Sequence, residues 1–331
     1  ENVGYFHAEG SGDTVVKRKR AQATYTLTPG PVYTIHTVQF DVDSSALGRT
    51  IRNTLPKSLL KPGDHFSLDV IKTERERIDA VLKEQGFYYF SPELLIINAD
   101  SSIGNHKVNM HLLVKEKTPV VAKKPYIIDD VYIYPTYHLN GKRSDTSHLN
   151  KSLYDGYYIV DPAKKFKPQL VPRILRFDSG DVYNRTDHNL TLSRLISLDV
   201  FKFVNNRFEI SPNTEGDTGR LNTYYYLTPL PKKSLRAEVS GNTKTNNYVG
   251  SLITVTFKNR NIFRGAEHLD VHADVGSEVQ YSGYNSGYNT YKLGGGVTFS
   301  IPKFVVPFFK FNTTNAFVPN TKIDFSYDLL N

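Results

Sequence analysis

The 331-residue chain has no cysteine, no tryptophan and a single methionine. The missing cysteine removes disulfides, thiolate chemistry and cysteine-based zinc sites, without fixing the compartment. No apolar run approaches the roughly 20 residues a membrane helix needs, so a helical membrane protein is excluded. Neither the phosphate-cradling Gly-x-x-x-x-Gly-Lys-(Ser/Thr) pattern nor the Gly-x-Ser-x-Gly nucleophile elbow occurs, which leaves nucleotide-driven work and elbow-type acyl transfer unsupported. There is no signal peptide and Glu1 is not an initiator methionine, so a processed or excised piece is expected.

The chain does hold 22 tyrosines and 19 phenylalanines, residues that favour strands. A mean hydropathy of −0.41 fits a soluble protein or an alternating membrane barrel. The length suffices for two or three domains, each with its own core. A net charge of +8 points to an acidic partner or surface. The densest basic run, Lys17-Arg18-Lys19-Arg20, is shorter than a usual basic tract. It reads as the solvated edge of a strand ending in Tyr25 and Leu27, where lysine deters edge-to-edge pairing. No nucleic-acid partner is expected.

The organising stretch is Phe177 to Ile210. Gly180-Asp181-Val182-Tyr183 reads as a turn, Asn184 or Thr186 as a helix cap, and Leu192, Leu195 and Ile196 as one helical face. After Asp199, Phe201, Phe203, Phe208 and Ile210 read as a strand. Lys61 to Ile97 repeats this plan: Gly63-Asp64 aligns with Gly180-Asp181, Phe66 with Tyr183, Ile78 with Leu195 and Val81 with Leu198. Ser67 is the expected N-cap, Asp69 suits the positive helix end, and Gly86 stands where a left-handed residue ends a helix. Two divergent copies of one unit mean a repeat architecture.

In chain order, residues 1–30 read as the C-terminal part of a preceding copy, since Gly4-Tyr5-Phe6 parallels Gly86-Phe87-Tyr88 and Ala21 to Leu27 alternates. Residues 31–118 read as β-α-α-β-β: a strand from Tyr33, a short helical stretch from Leu47 to Leu60, the capped helix, and strands near Phe87 to Ile97 and Val108 to Lys115. After a Lys-rich linker, residues 124–230 form the next copy, opening with Tyr126 to Tyr134 and carrying an insertion near 138–167. Tyr224 to Thr228 closes it.

After Lys233 the pattern changes to six alternating segments with no helix. Leu235, Ala237 and Val239 oppose Arg236, Glu238 and Ser240; Ile253, Val255 and Phe257 oppose Thr254, Thr256 and Lys258; Leu269, Val271, Ala273 and Val275 oppose His268, Asp270, His272 and Asp274. Further segments carry Tyr291, Leu293, Val297 and Phe299, then Phe304, Val306 and Phe308, then Ile323, Phe325, Tyr327 and Leu329. Alternation suits a membrane strand and a sandwich strand equally. Several segments reach the roughly 9 to 11 residues of a tilted membrane strand.

The repeat Gly-Asp-x-(Phe/Tyr)-x, a helix, then Gly-Phe-Tyr or Phe-Lys-Phe-Val resembles polypeptide-transport-associated (POTRA) domains. POTRA copies followed by amphipathic strands resemble the BamA/TamA superfamily of bacterial outer-membrane barrel-assembly proteins. Asn259 to Gly265 resembles the turn after an early barrel strand of that family. Asn184 to His188 with Phe201 to Val204 resembles TamA-like lipoproteins of Bacteroidota. The resemblance implies α+β POTRA repeats in the periplasm, followed by the first antiparallel strands of a transmembrane β-barrel at 233–331. Six strands fall short of the eight or so that close such a barrel, so a fragment is expected. The late Arg-Gly loop motif and the anchoring cysteine of a lipoprotein are not in this sequence.

The resemblance also implies no enzyme and no cofactor. Its partners would be unfolded outer-membrane proteins, outer-membrane lipid and periplasmic accessory proteins. Clients would add strands at two edges, Tyr88 to Ile97 (Tyr88, Phe90, Leu94, Ile96) and Arg207 to Ser211 (Arg207, Phe208, Ile210), and enter through a barrel seam at Leu235, Ala237, Val239 and Gly241. A two-partner secretion pore and a soluble envelope-binding protein with a C-terminal β-sandwich are the other readings. His268, Asp270, His272 and Asp274 read as a wet strand face and not as a metal site, Asp129 and Asp130 point to opposite faces, and Gly294 to Gly296 permit bending or close packing.

Overall fold

A computed structural model of the chain describes residues 2–18, 20–138, 151–214, 216–244, 248–280, 289–305 and 318–331. It divides into two compact units, 1–127 with 182–186 and 211–220, and 128–181 with 187–210 and 221–331.

The first unit opens with a two-stranded antiparallel hairpin, β1 (Glu9–Lys17) and β2 (Arg20–Thr28), closed by the pair Lys17 and Arg20. Both strands are exposed throughout, with Tyr25 80% and Leu27 77% accessible. Hairpins of this kind are marginal without a covering layer. The next elements are β3 (Thr34–Phe40), α1 (Ala46–Arg52), α2 (Leu68–Glu84), β4 (Leu95–Asp100) and β5 (Lys107–Val114). They form the expected β-α-α-β-β order as a three-stranded sheet β3-β5-β4, with β3 parallel and β4 antiparallel to β5. A parallel pair needs a long crossover, and the two helices with β4 supply it.

Local chemistry accounts for the helices. The Ser67 hydroxyl accepts from the Val70 amide at 3.4 Å, and Ser45 caps α1 through the Gly48 amide at 3.1 Å. Ile78 and Leu82 on the buried face of α2 join Phe87, Phe90, Leu95 and Leu112 in one core cluster, and Ile71 joins Phe66, Val108 and Met110 in a second. Glu74, fully buried on that face, accepts from Leu59 N at 3.0 Å and Arg77 Nε at 2.8 Å, so the charge is paired.

The strand expected from Phe87 begins only at Leu95. Phe87 and Phe90 are both buried, a spacing of three that a strand cannot bring to one face. The chain curls instead, ending in a 3-10 turn at Pro92–Leu94. Lys83 Nζ holds the curl by donating to the carbonyls of Tyr88 and, at 2.6 Å, Phe90. Burial pushes the Lys83 ammonium below its usual range.

Backbone bonds show the repeat more plainly than the side chains do. Tyr33 N donates to Gly4 O at 2.8 Å, as Tyr126 N does to Gly86 O at 2.9 Å. Phe66 N donates to Tyr33 O at 2.9 Å, as Tyr183 N does to Tyr126 O at 3.0 Å. Gly63 N donates to Ile35 O, as Gly180 N does to Ile128 O, both at 2.8 Å, from glycines with φ of 94° and 95°. Gly86 has φ 95°, and a Cβ there would lie 3.1 Å from both Tyr126 N and O. Gly86→Ala is therefore expected to cost at least about 1–2 kcal/mol in urea unfolding.

The α/β elements that follow, most of them in the second unit and three of them (β6, α4 and β10) beginning in the first, are β6 (Tyr126–Tyr134), β7 (Ser152–Tyr154), β8 (Tyr157–Ile159), α3 (Val171–Ile174), α4 (Arg185–Ser197), β9 (Phe201–Ile210) and β10 (Gly219–Pro229). The sheet order is β7-β8-β6-β10-β9, so the insertion adds two strands beyond β6; its residues 139–150 lie outside the described ones. Helix α4 starts at Arg185, placing Asn184 just before it and Thr186 in its first turn.

The last elements are β11 (Lys233–Lys244), β12 (Tyr248–Arg260), β13 (His268–Gln280), β14 (Asn289–Ile301) and β15 (Thr321–Leu330). They form a five-stranded antiparallel meander in chain order. Phe304 lies outside any strand, and the Val306 and Phe308 of that expected segment fall outside the described residues. The described sheet is open, with edges at β11 and β15.

Candidate functional site

Register decides what the last sheet presents. Leu235, Phe257, Val271, Val297 and Phe325 stand opposite one another across five strands. Val239, Ile253, Val275, Leu293 and Leu329 form a second such row, with Ala237, Val255, Ala273, Gly295 and Tyr327 between them. The alternate rows are polar: Glu238, Thr254, Asp274, Gly294 and Asp328, then Arg236, Thr256, His272, Gly296 and Ser326. Because side chains alternate strictly along each strand, one slip in register would have mixed the two sets.

Burial is inverted relative to a sheet packed in water. In the central strands the apolar Ile253 is 50%, Val275 56% and Leu293 57% exposed, whereas Asp274 on the polar face is 6% exposed; on the edge strands β11 and β15 both faces are open. A β-sandwich buries the apolar faces of two sheets against each other; among the described residues nothing covers this one. Thirteen-residue strands in β12, β13 and β14 are long enough to cross a bilayer at a tilt.

The polar face is tied by ion pairs. Lys292 Nζ lies 3.1 Å from Asp274 and 3.4 Å from Asp328, and Lys258 lies 3.5 Å from Asp270. A Cβ at Gly294 would fall 2.2 Å from Asp328 Oδ1, and one at Gly296 2.6 Å from His272, so these glycines make room for their neighbours' polar side chains. His268 is turned to the Leu198 carbonyl at 2.8 Å. Among the described residues no group of three His, Asp or Glu is placed to hold a metal ion.

The expected strand edges are placed differently. In the first sheet β4 is an edge, and Ile96 is on it, 40% exposed. Tyr88, Phe90 and Leu94 precede the strand, and Phe90 is 1% exposed in the core, so of these four only Ile96 sits where a strand could be added. In the second sheet β9 is an edge and contains Arg207, Phe208 and Ile210. Arg207 pairs with Glu209 at 2.6 Å, Ile210 is 44% exposed and Phe208 points into the core. Leu235, Ala237, Val239 and Gly241 all lie on β11, the first edge of the last sheet.

Other features were not singled out from sequence. Tyr132 stacks between Tyr158 at 4.9 Å and Tyr224 at 5.0 Å, a ladder across three strands. Burial and the adjacent Asp130 carboxylate hold the Tyr132 hydroxyl protonated well above its usual range. Asp199 takes φ 50° where Gly86 ends the earlier helix, and its carboxylate lies 3.4 Å from Lys258 and 3.8 Å from Arg260. In the first unit the buried Asp79 pairs with Arg185 at 2.7 Å. Alternate tyrosines in Tyr126 to Tyr134 and Tyr224 to Tyr226 were the available signal for the ladder; the ion pairs, distant in sequence, had none.

No protein-family model matches the chain, and no curated protein matches it. Solved structures do resemble it. POTRA domains 3–5 of Haemophilus influenzae BamA match at 18% identity and a TM-score of 0.36, over 67% of this chain and 74% of that one. BamA from Haemophilus ducreyi lacking POTRA domains 1–3 matches at 11% identity and a TM-score of 0.45, over 90% of this chain and 52% of that one. CdiB from Acinetobacter baumannii matches at 11% identity and a TM-score of 0.31, over 91% and 55%. The chain thus spans about half the length of the latter two proteins. At these identities and scores the likenesses carry no weight for function.

Proposed function

We propose that the chain belongs to a bacterial outer-membrane assembly factor of the BamA/TamA type, its α/β repeats in the periplasm and its last sheet part of a membrane barrel wall. One observation supports this most: in the central strands β12 to β14 the apolar residues are the exposed ones, and the polar, ion-paired residues are the sheltered ones. In hydrocarbon such a face is at rest, while backbone polar groups must be paired strand to strand. No reactive side chain is needed. Unfolded outer-membrane proteins add a strand to the β4 or β9 edge, where backbone bonds give affinity without strict sequence demands. They then template on β11, whose free edge groups in lipid are costly until a new strand pairs with them. Residues 1–30 serve as the closing hairpin of a preceding repeat, which accounts for their uncovered faces.

Photocrosslinkers placed singly at Leu235, Ala237, Val239 and Gly241, and at Ile96 and Ile210, test the route. Adducts to nascent barrel proteins are expected at β11 and at one or both repeat edges. Absence of adducts along all of Leu235 to Gly241 removes the seam from this account.

A further inference from the structure

The turn between β12 and β13 is built tightly and carries cations outward. Asn261, Arg264 and Ala266 all have positive φ, and the Glu267 carboxylate accepts from the amides of Phe263 at 3.3 Å and Gly265 at 2.9 Å. The end of the second repeat's insertion is bonded to this turn. Lys167 N donates to Arg264 O at 2.6 Å, and Asn261 Nδ2 donates to Lys165 O at 2.8 Å. The start of β11 comes to the same end of the sheet, where Arg260 N donates to Lys232 O at 2.7 Å. Segments about a hundred residues apart in sequence therefore bring Lys164, Lys165, Lys167, Lys232, Lys233 and Arg264 to one rim, all exposed and none in an ion pair among the described residues.

The nearby acids are spent on other groups. Glu267 serves the turn amides, Asp161 accepts from Phe166 N at 2.8 Å, and Asp199 faces Lys258 and Arg260. Beside the cations stands Phe263, 56% exposed, with its ring 6.0 Å from that of Phe299 at the end of the apolar face. An aromatic ring at the edge of an apolar wall, followed at once by unpaired cations, is the order of groups met on leaving a bilayer: acyl chain, interface, headgroup.

We propose that this rim is a docking surface for anionic phospholipid headgroups, seating the sheet at the membrane boundary through Lys164, Lys165, Lys167 and Arg264. The inference rests on the membrane reading of the last sheet and adds the lipid class that its edge selects. Phosphate esters fit the site because its donors are flexible ammonium groups and a guanidinium, spread along a rim and not gathered in a closed pocket. The basic hairpin turn at Lys17 and Arg18 belongs to the first unit and is exposed.

The test is insertion of the full chain from urea into phosphatidylcholine vesicles with and without phosphatidylglycerol. Insertion is expected to be about tenfold more efficient with the anionic lipid, and the advantage to fall as salt is raised. Lys164→Glu/Lys165→Glu/Lys167→Glu should abolish the advantage, and Lys17→Glu/Arg18→Glu should retain it. Equal wild-type insertion into both vesicles, or an advantage insensitive to salt, overturns the proposal while leaving the membrane reading intact. An advantage that follows the hairpin variant and not the rim variant also overturns it. No insertion into either vesicle overturns both. The wild-type salt series stands whether or not the triple variant folds.

Discussion

Ile253→Arg is expected to destabilise the inserted chain by about 2–4 kcal/mol in phospholipid vesicles, the cost of a cation on the lipid face near the bilayer midplane. Ile253 is near the middle of β12, 50% exposed, with Val239 and Val275 opposite on the two neighbouring strands. Thr254→Arg, one residue along, should be tolerated. Its side chain projects to the wet face between Glu238 and Asp274, where a guanidinium finds two carboxylates. In water the expectation for Ile253 is different, since replacements at exposed sites usually stay within about 0.5 kcal/mol. Urea titration in vesicles, reading both variants against the wild type, separates the cases. A change of under about 0.5 kcal/mol for Ile253→Arg contradicts the lipid-facing assignment.

Phe90→Ala should cost about 3–5 kcal/mol in the first repeat, the range for emptying an aromatic core site. Phe90 is 1% exposed and belongs to the same cluster as Ile78, Leu82 and Phe87. Its carbonyl also receives Lys83 Nζ, so a collapsing loop would loosen the buried ammonium with it. Ile96→Ala, at a 40% exposed edge position, should change stability by well under 1 kcal/mol and act on client crosslinking alone. Hydrogen exchange on the full chain would localise the first effect to β4, β5 and α2. Similar small losses from both variants would mean that Phe90 is not a core residue.

The repeat was legible because its signals are local. Ser67 as cap, Gly86 as a left-handed helix end and the alternation in the five described strands from Leu235 to Leu329 each depend on residues within a few positions, and each is found as expected. Phe87 to Leu94 misled because aromatic residues favour strands, while the Lys83 bonds and the inward turn of Phe87 and Phe90 are tertiary. Which side of the last sheet meets solvent was not legible, since alternation is the same for lipid and for a sandwich core. Register and burial show an apolar face that nothing covers among the described residues. The cationic rim joins segments far apart in the chain, and no local pattern announces it.

Because the chain contains no tryptophan, one introduced ring reports its own surroundings alone. Val255→Trp on the apolar face and Thr254→Trp on the polar face, each in vesicles whose acyl chains carry bromine, test the lipid-facing assignment most directly. Strong quenching at 255 with little at 254 is the predicted result. Equal and weak quenching at both positions, with the protein folded, would contradict it.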